Sequence, residues 1–367
     1  MVKITRTYAT GPGRSNRPAV ILVVNAGSTS LKLSLVAEDG AAKTVGSFAE
    51  VDAAPEAVAH RVVHGGSRFV EPVLVDEAVE REIVELEAIA PLHNRPALQG
   101  LTQAREAFPD APHVAVFDTA FHRTIPPEAF TYALPAEWRE KWAIRRFGFH
   151  GLSVEWSTGR AQELLGRVGM ERLVVCHLGG GCSVTAVREG RSVDTTMGFT
   201  PLEGIPMITR SGSIDPAIVS YAMREHGLTA DAVDHALNFE SGVEGLAPGY
   251  DGMQAIEDAA TGGDERAELA VRVFVQRLSG AVAAMAVAAG GLDALVFTGG
   301  IGEHSALIRE RTSAILSFLG LSLDPRSNAS PALDCDVAAS ESAVRILVIA
   351  AREDAVAARA ARALLGS

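Results

Sequence analysis

The sequence repeats one strand-and-turn pattern at two distant places. Residues 20–39 read VILVVNAGSTSLKLSLVAED, in which an apolar run enters a turn of Gly and hydroxyl residues and leucines then alternate with Lys32 and Ser34. Residues 173–190, LVVCHLGGGCSVTAVREG, have the same order. The alternation and the turn residues predict an antiparallel strand pair at each place. The repetition predicts a duplicated fold with a nucleotide between its halves.

A Gly-rich turn of this kind can bind phosphate oxygens through backbone N–H groups and hydroxyls, and Lys32 would add a point charge. One such turn alone is more typical of an ordinary hairpin. A third strand-to-glycine transition, ALVFTGGIGEHS at 294–305, leads into a helix that we place at 303–319, with an acidic first turn. A helix N-terminus behind a Gly-Gly turn suits an anion or a nucleotide.

Length and charge limit the classes of function. A chain of 367 residues suggests two domains, and its net charge of -12 gives no overall attraction to nucleic acid or to an anionic membrane. Three cysteines without metal spacing indicate a reduced, cytoplasmic protein. Residues 1–19 lack the apolar core of a secretory signal, so we expect a flexible extension. The apolar stretch 278–297 is interrupted by glycines and Asp293, which favours a buried helix and strand over a membrane span.

Helices and strands alternate along the rest of the chain, which predicts an α/β architecture with its site on the loops. Pro91 is expected to end a helix at 76–90, and residues 324–333 are expected to form a surface loop. The other expected elements are a strand at 113–117 that delivers Asp118, a helix at 267–289, strands at 294–298 and 345–350, and a final helix at 353–365.

Several short segments contain arginines, histidines and one aspartate, whose side chains would be costly to bury without partners. The residues are Arg61 in HRVVHGG, His93 in APLHN, Asp118 and His122 in VFDTAFH, His150 in RRFGFHG, and Arg210 in GFTPLEGIPMITRSG. Each alone is better explained by an ion pair or a capped turn. Together with Lys32 and the glycine turns they describe a phosphoryl-transfer site, because that reaction needs positioning and charge stabilisation more than covalent help.

These segments resemble the acetate kinase family. The blocks NAGSTSLK, HRVVHGG, APLHN, VFDTAFH, RRFGFHGLS, CHLGGG, SVDTTMGFTPLEG, TRSGSIDPAI and FTGGIGE occur in the family's order. The resemblance implies Mg²⁺-dependent, reversible transfer from ATP to a short carboxylate, and a homodimer. It also implies the duplicated fold of actin and the sugar kinases, which is ribonuclease H-like, with the nucleotide in a cleft between two lobes. We place the N-terminal lobe at 20–118 plus 354–367 and the nucleotide-binding lobe at 119–353.

The resemblance assigns catalytic roles to three residues. Asp118 would act as a base or as an orienter of metal and substrate. Acetate is ionised well below neutral pH and needs no deprotonation, which favours the orienting role. His150 and Arg210 would stabilise the planar phosphoryl group during transfer.

The resemblance also implies the binding residues. Arg61 would hold the carboxylate with His93 as a supporting donor, and the methyl pocket would consist of Val63, Leu92, Phe149 and Pro201. Asn25 and Glu353 would bind Mg²⁺ (or Mn²⁺). The nucleotide would contact Lys32, His177, Leu178, Gly179, Gly180, Gly181, Gly299, Gly300, Ile301, Gly302 and Glu303.

The chain departs from the family pattern at several positions. The usual LGNG has Gly180 in place of Asn, and the usual Asp-Met-Arg near the adenine is Gly252, Met253 and Gln254. The usual Asn-Glu-Glu has Arg352 and Asp354 around Glu353. Three hypotheses remain: an active acetate kinase, a kinase for propionate or butyrate or with another phosphoryl donor, and a non-catalytic sensor of nucleotide or acyl phosphate.

Overall fold

The computed structural model describes residues 20–26, 31–86, 91–166 and 171–366, with the side chains of residues 91–93 left undescribed. The expected flexible extension at 1–19 and most of the first glycine turn therefore lie outside the described residues.

The first sheet has six strands in the order β3-β2-β1-β4-β6-β5. Strands β1 and β2 form the expected antiparallel pair, and β4 and β6 continue the sheet in parallel. Helix α1 starts at Asp76, whose carboxylate caps the N–H groups of Ala78 and Val79. The elements of this half are β1 (Ile21–Ala26), β2 (Leu31–Val36), β3 (Ala42–Val45), β4 (Ala57–Val62), β5 (Val73–Leu74), α1 (Glu77–Glu85), α2 (Pro91–Ala107) and β6 (His113–Phe117).

A connecting segment follows β6 and contains α3 (Pro127–Phe130), α4 (Ala136–Lys141) and α5 (Gly151–Leu165). Helix α5 packs against both halves of the molecule, since its Leu152 joins the core under the first sheet and its Val154 joins the core of the second.

The second sheet also has six strands, in the order β11-β12-β10-β7-β8-β9. Its elements are β7 (Arg172–Leu178), β8 (Cys182–Arg188), β9 (Arg191–Thr195), α6 (Ala217–His226), α7 (Ala230–Phe239), α8 (Gly242–Leu246), α9 (Gly252–Thr261), α10 (Glu265–Ala289), β10 (Ala294–Thr298), α11 (Gly299–His304), α12 (Ala306–Ile315), α13 (Pro325–Ala329), β11 (Cys335–Asp336), β12 (Arg345–Val348) and α14 (Glu353–Leu365).

The two sheets have equivalent topologies. In each sheet the first three strands pair antiparallel, two further strands join the first one in parallel, and a short edge strand pairs antiparallel with the last of these. Strands β7, β8, β9, β10, β11 and β12 therefore correspond to β1, β2, β3, β4, β5 and β6. The predicted duplicated α/β fold of the actin and sugar-kinase class is confirmed.

Helix α14 returns the chain to the first sheet. Its Val356, Ala357, Ala358 and Ala361 are buried with Ile21 and Val23 of β1 and with strands β4 and β6. We therefore propose the lobe boundaries that the sequence indicated, residues 20–118 plus 354–367 and residues 119–353.

Helix α10 is long and apolar enough to span a bilayer, and half of its most apolar window is buried. Val271, Phe274, Leu278 and Val282 belong to the core cluster that covers the second sheet. We interpret α10 as a core helix, in agreement with the expected buried helix and strand.

Three local predictions were wrong. Pro91 starts α2 instead of ending α1, because a proline at the first helical position lacks only an N–H that has no helical partner there. The helix expected at 303–319 is divided at Ser305, whose side chain caps α12, so Glu303 lies at the end of α11. The expected loop at 324–333 contains α13, and its Asn328 is buried against Arg309.

Candidate functional site

A cleft of about 590 Å³ lies where the ends of β1, β7 and β10 meet the start of α14. Parallel strands in α/β sheets commonly present ligand sites at their carboxyl ends. The cleft is lined by Val23, Asn25, Lys32, Ser34, Arg61, His150, His177, Gly179, Gly180, Gly299, Gly300, Glu303, Ala351, Glu353 and Asp354.

Three of these side chains are aligned across the first sheet. Asn25 on β1 is paired in register with Lys32 on β2 and with Arg61 on β4. The strand pairing therefore places a cation on each side of one amide. Arg61 donates from Nη1 to Asn25 Oδ1 at 3.0 Å.

Asp118 follows β6 and forms a two-pronged ion pair with Arg61. The Nε of Arg61 donates to Asp118 Oδ1 at 3.0 Å, and its Nη2 donates to Oδ2. The Asp118 side chain is 1% exposed, whereas that of Arg61 is 16% exposed. Asp118 is therefore held behind Arg61 and fixes its guanidinium plane. Two of the five N–H groups of Arg61 are not used in these bonds and remain for a ligand.

Glu353, the first residue of α14, completes this cluster. Its Oε2 lies 3.4 Å from Arg61 Nε and accepts from Asn25 Nδ2 at 3.4 Å. Among the described residues no group of three His, Cys, Asp or Glu side chains could hold a metal ion. Mg²⁺ usually binds one or two carboxylates together with substrate phosphates and water, so Glu353 fits a metal held jointly with a phosphate chain. Asn25 presents Nδ2 to Glu353 and Oδ1 to Arg61, so its amide would have to turn to offer its oxygen to the same metal.

The two buried carboxylates have opposite pKa shifts. Burial and the charge of Glu353 raise the pKa of Asp118 to about 6, against the attraction of Arg61. Burial also opposes ionisation of Glu353, but the charges of Arg61 and Lys32, together with the hydrogen bond from Asn25, lower the pKa of Glu353. Glu353 therefore remains an anion able to bind a cation, and Asp118 is the group that titrates near neutrality.

His150 and His177 lie side by side, with ring centroids 4.2 Å apart. Burial lowers the pKa of both rings; neighbouring cations lower that of His150 further, and Glu353 opposes the shift at His177 without reversing it, so the two imidazoles are neutral. His150 has a left-handed backbone with φ of 59° and precedes Gly151, where a Cβ would lie 2.1 Å from the carbonyl oxygen of Asp118. Only glycine allows the backbone at 151 to come this close to Asp118. The N–H of Gly151 donates to the Asp118 carbonyl oxygen, and this bond joins the start of α5 to the segment that carries Asp118.

Arg210 lies beside His150 across Gly181. A Cβ on Gly181 would be 3.2 Å from Arg210 Nη1 and 3.3 Å from His150 Nε2. Among the described residues, the hydrogen bonds of the guanidinium are two long ones, 3.4 Å to the Pro201 carbonyl and 3.8 Å to the Met207 sulfur. In the described part of the chain no carboxylate pairs with Arg210, and burial lowers its pKa. Such a cation is suited to a ligand anion.

The two glycine turns of the second half meet at the cleft. Gly299 has a φ of 78°, and a Cβ there would lie 2.8 Å from the Leu178 carbonyl oxygen, so glycine lets β10 approach β7. Glu303 Oε1 accepts from the N–H groups of Gly299 and Ala351 at 3.0 and 2.9 Å. The carboxylate thereby joins the glycine turn after β10 to the segment before Glu353.

Four residues expected at the nucleotide are not among those that line the cleft. The Leu178 side chain is fully buried in the core and cannot contact a ligand. Gly181 faces Arg210 and His150, Ile301 packs against the same core, and Gly302 is buried behind the turn. The pattern of a motif does not distinguish residues that face a cleft from those that support it.

The residues expected to form a methyl pocket are partly described. Val63 packs against the cluster that contains Phe149, which is 1% exposed, and Pro201 is also buried. These side chains do not line the open cleft. The side chains of Leu92 and His93 lie outside the described residues.

Sequence reasoning missed several contributors to the site. Ser34 lies on the same face of β2 as Lys32 and lines the cleft; the period of two along a strand could have revealed it. Asp354, next to Glu353 in the chain, also lines the cleft. The serines that bond the two cleft histidines, Ser153 and Ser183, gave no local signal because their partners are 24 and 33 residues away.

Comparisons with known proteins identify the relatives of this chain. A model of the Acetokinase family matches residues 46–359. An acetate kinase of Synechococcus is 49% identical over 309 residues, which are 84% of this chain and 76% of that protein. The crystal structure of a propionate kinase from Francisella tularensis has a TM-score of 0.85 at 35% identity, covering 93% of this chain and 98% of that one. That of Porphyromonas gingivalis acetate kinase has a TM-score of 0.83 at 31% identity, covering 95% and 100%.

Proposed function

The chain belongs to the acetokinase family, and we propose that it transfers the γ-phosphoryl group of ATP to acetate, reversibly, to give ADP and acetyl phosphate. The observation that carries this function is one cleft in which Arg61, His150 and two glycine turns meet, with Arg210 beside it. Such a convergence of neutral donors and cations suits a transferring phosphoryl group, whose transition state spreads negative charge over its oxygens.

Arg61 would bind the acceptor carboxylate through the N–H groups that Asp118 and Asn25 leave unused. One carboxylate oxygen attacks the γ-phosphorus as the bond to the bridging oxygen of ADP breaks, and no proton is removed from acetate. A general base is therefore not required. Asp118, with both oxygens bonded to Arg61, supports the orienting role that we favoured over a base.

The phosphate chain would lie along the glycine turns at 179–180 and 299–300, with Lys32 as a point charge. Asn25 and Glu353 would hold Mg²⁺ (or Mn²⁺) jointly with the phosphates. The metal would supply charge neutralisation on the phosphate oxygens. His150 and Arg210 would donate to the transferring group, in a role where a well-placed arginine is worth about 10³ to 10⁵ in rate.

Propionate is a second candidate acceptor, because a solved relative at 35% identity is a propionate kinase. Val63, Phe149 and Pro201 would contact the alkyl group only if it reaches behind the open cleft, because these side chains do not line it. An added methylene changes binding in an apolar pocket by about 1 to 3 kcal/mol, so we expect propionate to react less well than acetate.

The activity is tested with purified protein, Mg²⁺ and ATP, with acetyl phosphate trapped as its hydroxamate. A panel of acetate, propionate and butyrate ranks the acceptors, and GTP and pyrophosphate test the donor. Nucleotide binding by calorimetry without acyl phosphate from any acceptor would refute the kinase assignment and favour a sensor.

We also propose a cytoplasmic homodimer. All three cysteines are free, which suits a reducing compartment. Helix α6 buries none of its residues and exposes Ile218 and Tyr221 by 52% and 55%, so it offers an apolar surface to a second copy. Light scattering on the purified protein measures the mass, and a monomer at micromolar concentration would refute the dimer.

A further inference from the structure

Three histidines, of which His122 is buried and His150 and His177 are half-buried, share one arrangement: the ring Nδ1 lies within hydrogen-bond distance of a buried serine hydroxyl. The serines are fully buried. The pairs are His122 with Ser192 at 2.9 Å, His150 with Ser183 at 3.0 Å, and His177 with Ser153 at 2.8 Å.

The direction of the hydrogen bond is determined in the first pair. His122 Nε2 lies 2.9 Å from the carbonyl oxygen of Phe149, which can only accept. The hydrogen of this neutral imidazole is therefore on Nε2, since burial lowers the pKa of His122 to about 4. Its Nδ1 must accept, and the Ser192 hydroxyl donates to it.

The same direction follows for the other two pairs from the serine side. Within the described residues, the imidazole Nδ1 is the one hydrogen-bond partner of the Ser183 hydroxyl and of the Ser153 hydroxyl. If Nδ1 carried the hydrogen, each hydroxyl would accept and its own hydrogen would be buried without an acceptor. A buried unpaired donor is costly, so the serines donate.

In His150 and His177, donation by the serine to Nδ1 leaves the ring hydrogen on Nε2, and both rings line the cleft. His150 Nε2 is 3.3 Å from the position of a Cβ on Gly181, and His177 Nε2 is 3.8 Å from that on Gly179. We propose that Ser183 and Ser153 are positioning residues that fix His150 and His177 as neutral Nε2–H tautomers, so that two N–H donors face the phosphoryl oxygens. This inference rests on the proposed function for its consequence in turnover, but the tautomers can be observed without it.

The first test uses the unaltered protein labelled with ¹⁵N in histidine. Long-range ¹H–¹⁵N correlation spectra distinguish the two neutral tautomers and the imidazolium, with His150→Gln and His177→Gln used to assign the signals. We expect the Nε2–H tautomer for all three rings at neutral pH. An Nδ1–H tautomer or an imidazolium at His150 would overturn the proposal, whether or not the enzyme is active.

The second test measures turnover in serine variants. We expect Ser183→Ala to give His150 a mixture of tautomers and to lower kcat by about 10- to 100-fold, by analogy with the loss of a hydrogen-bond partner that orients a metal-ligating histidine. KM for acetate and for ATP should stay the same, because the bond is needed in the transition state more than in binding. Ser183→Thr keeps the hydroxyl and should restore most of the rate.

Ser192→Ala is the matched control. It removes the same kind of bond, but the Phe149 carbonyl still fixes the His122 tautomer, and His122 does not line the cleft. Its kcat should match that of the parent. Equal losses in Ser183→Ala and Ser192→Ala would indicate a purely structural effect and overturn the proposal. A parent-like rate for His150→Gln with the expected tautomers would instead refute the proposed role of His150 in transfer.

Discussion

Replacement of Arg210 by alanine separates chemistry from folding in this protein. The native contacts of its guanidinium are a 3.4 Å approach to the Pro201 carbonyl and a 3.8 Å approach to the Met207 sulfur. Bonds this long contribute at most about 1 kcal/mol to the free energy of unfolding, and removal of the buried charge offsets part of that. The melting temperature of Arg210→Ala should therefore stay close to that of the parent.

The loss in turnover should be far larger than the loss in stability. An arginine that stabilises a phosphoryl transition state is worth about 10³ to 10⁵ in rate, or about 4 to 7 kcal/mol in the activation free energy. Hydroxamate-trapped acetyl phosphate and thermal unfolding should be measured on the same preparations. Arg210→Lys should recover only part of the rate, because a point charge does not replace the planar fork.

Arg188→Ala is a matched control, since Arg188 is exposed at the far end of β8 from the glycine turn. It should leave both turnover and the melting temperature unchanged. Turnover in Arg210→Ala within tenfold of the parent would refute the role of Arg210. A fall in melting temperature as marked as the fall in rate would show that Arg210 supports the fold instead.

Three further predictions follow from the cleft. Activity should fall as pH drops through about 6, because protonation of Asp118 weakens its hold on Arg61, and Asp118→Asn should be slower with no such acid limb in its pH–rate profile. Gly180→Asn should fold normally and lower KM for ATP, because a Cβ there meets nothing within 4 Å and the amide can reach phosphate. Gly299→Ala should lower the unfolding free energy by about 1 to 3 kcal/mol, because alanine is strained at the positive φ of this position. Glu353→Gln should raise the Mg²⁺ concentration needed for half-maximal rate, and an unchanged Mg²⁺ dependence would exclude Glu353 as a ligand.

The periodic spacing of apolar residues predicted those strands and helices whose pattern lies within one continuous segment. The β1–β2 pair, strand β10 and helix α14 were expected within a residue or two of their observed bounds. Helix α2 was missed because Pro91 reads as a stop when it follows a helical pattern, although a proline also suits a first turn. The division at Ser305 was missed because Glu303 suggests the acidic first turn of the helix, although the apolar residues of the pattern all follow Ser305.

The motifs identified the groups that face the cleft better than the groups that hold them. Arg61 and Asp118 were expected to have separate roles, and the structure joins them in one ion pair. The serine partners of the histidines depend on contacts between distant segments. Sequence patterns do not encode such contacts, since any buried serine looks alike along the chain.

The chain passes between its two sheets beside the ionic cluster. Asp118 directly follows the last residue of β6, and Glu353 opens the helix that returns to the first sheet. The peptide units that connect the two sheets thus also carry the reacting groups, and a substitution that loosens these connections also disturbs the geometry of the site. Adaptation of this enzyme to heat or cold should therefore favour changes in peripheral helices and loops, where flexibility can be adjusted without loss of turnover.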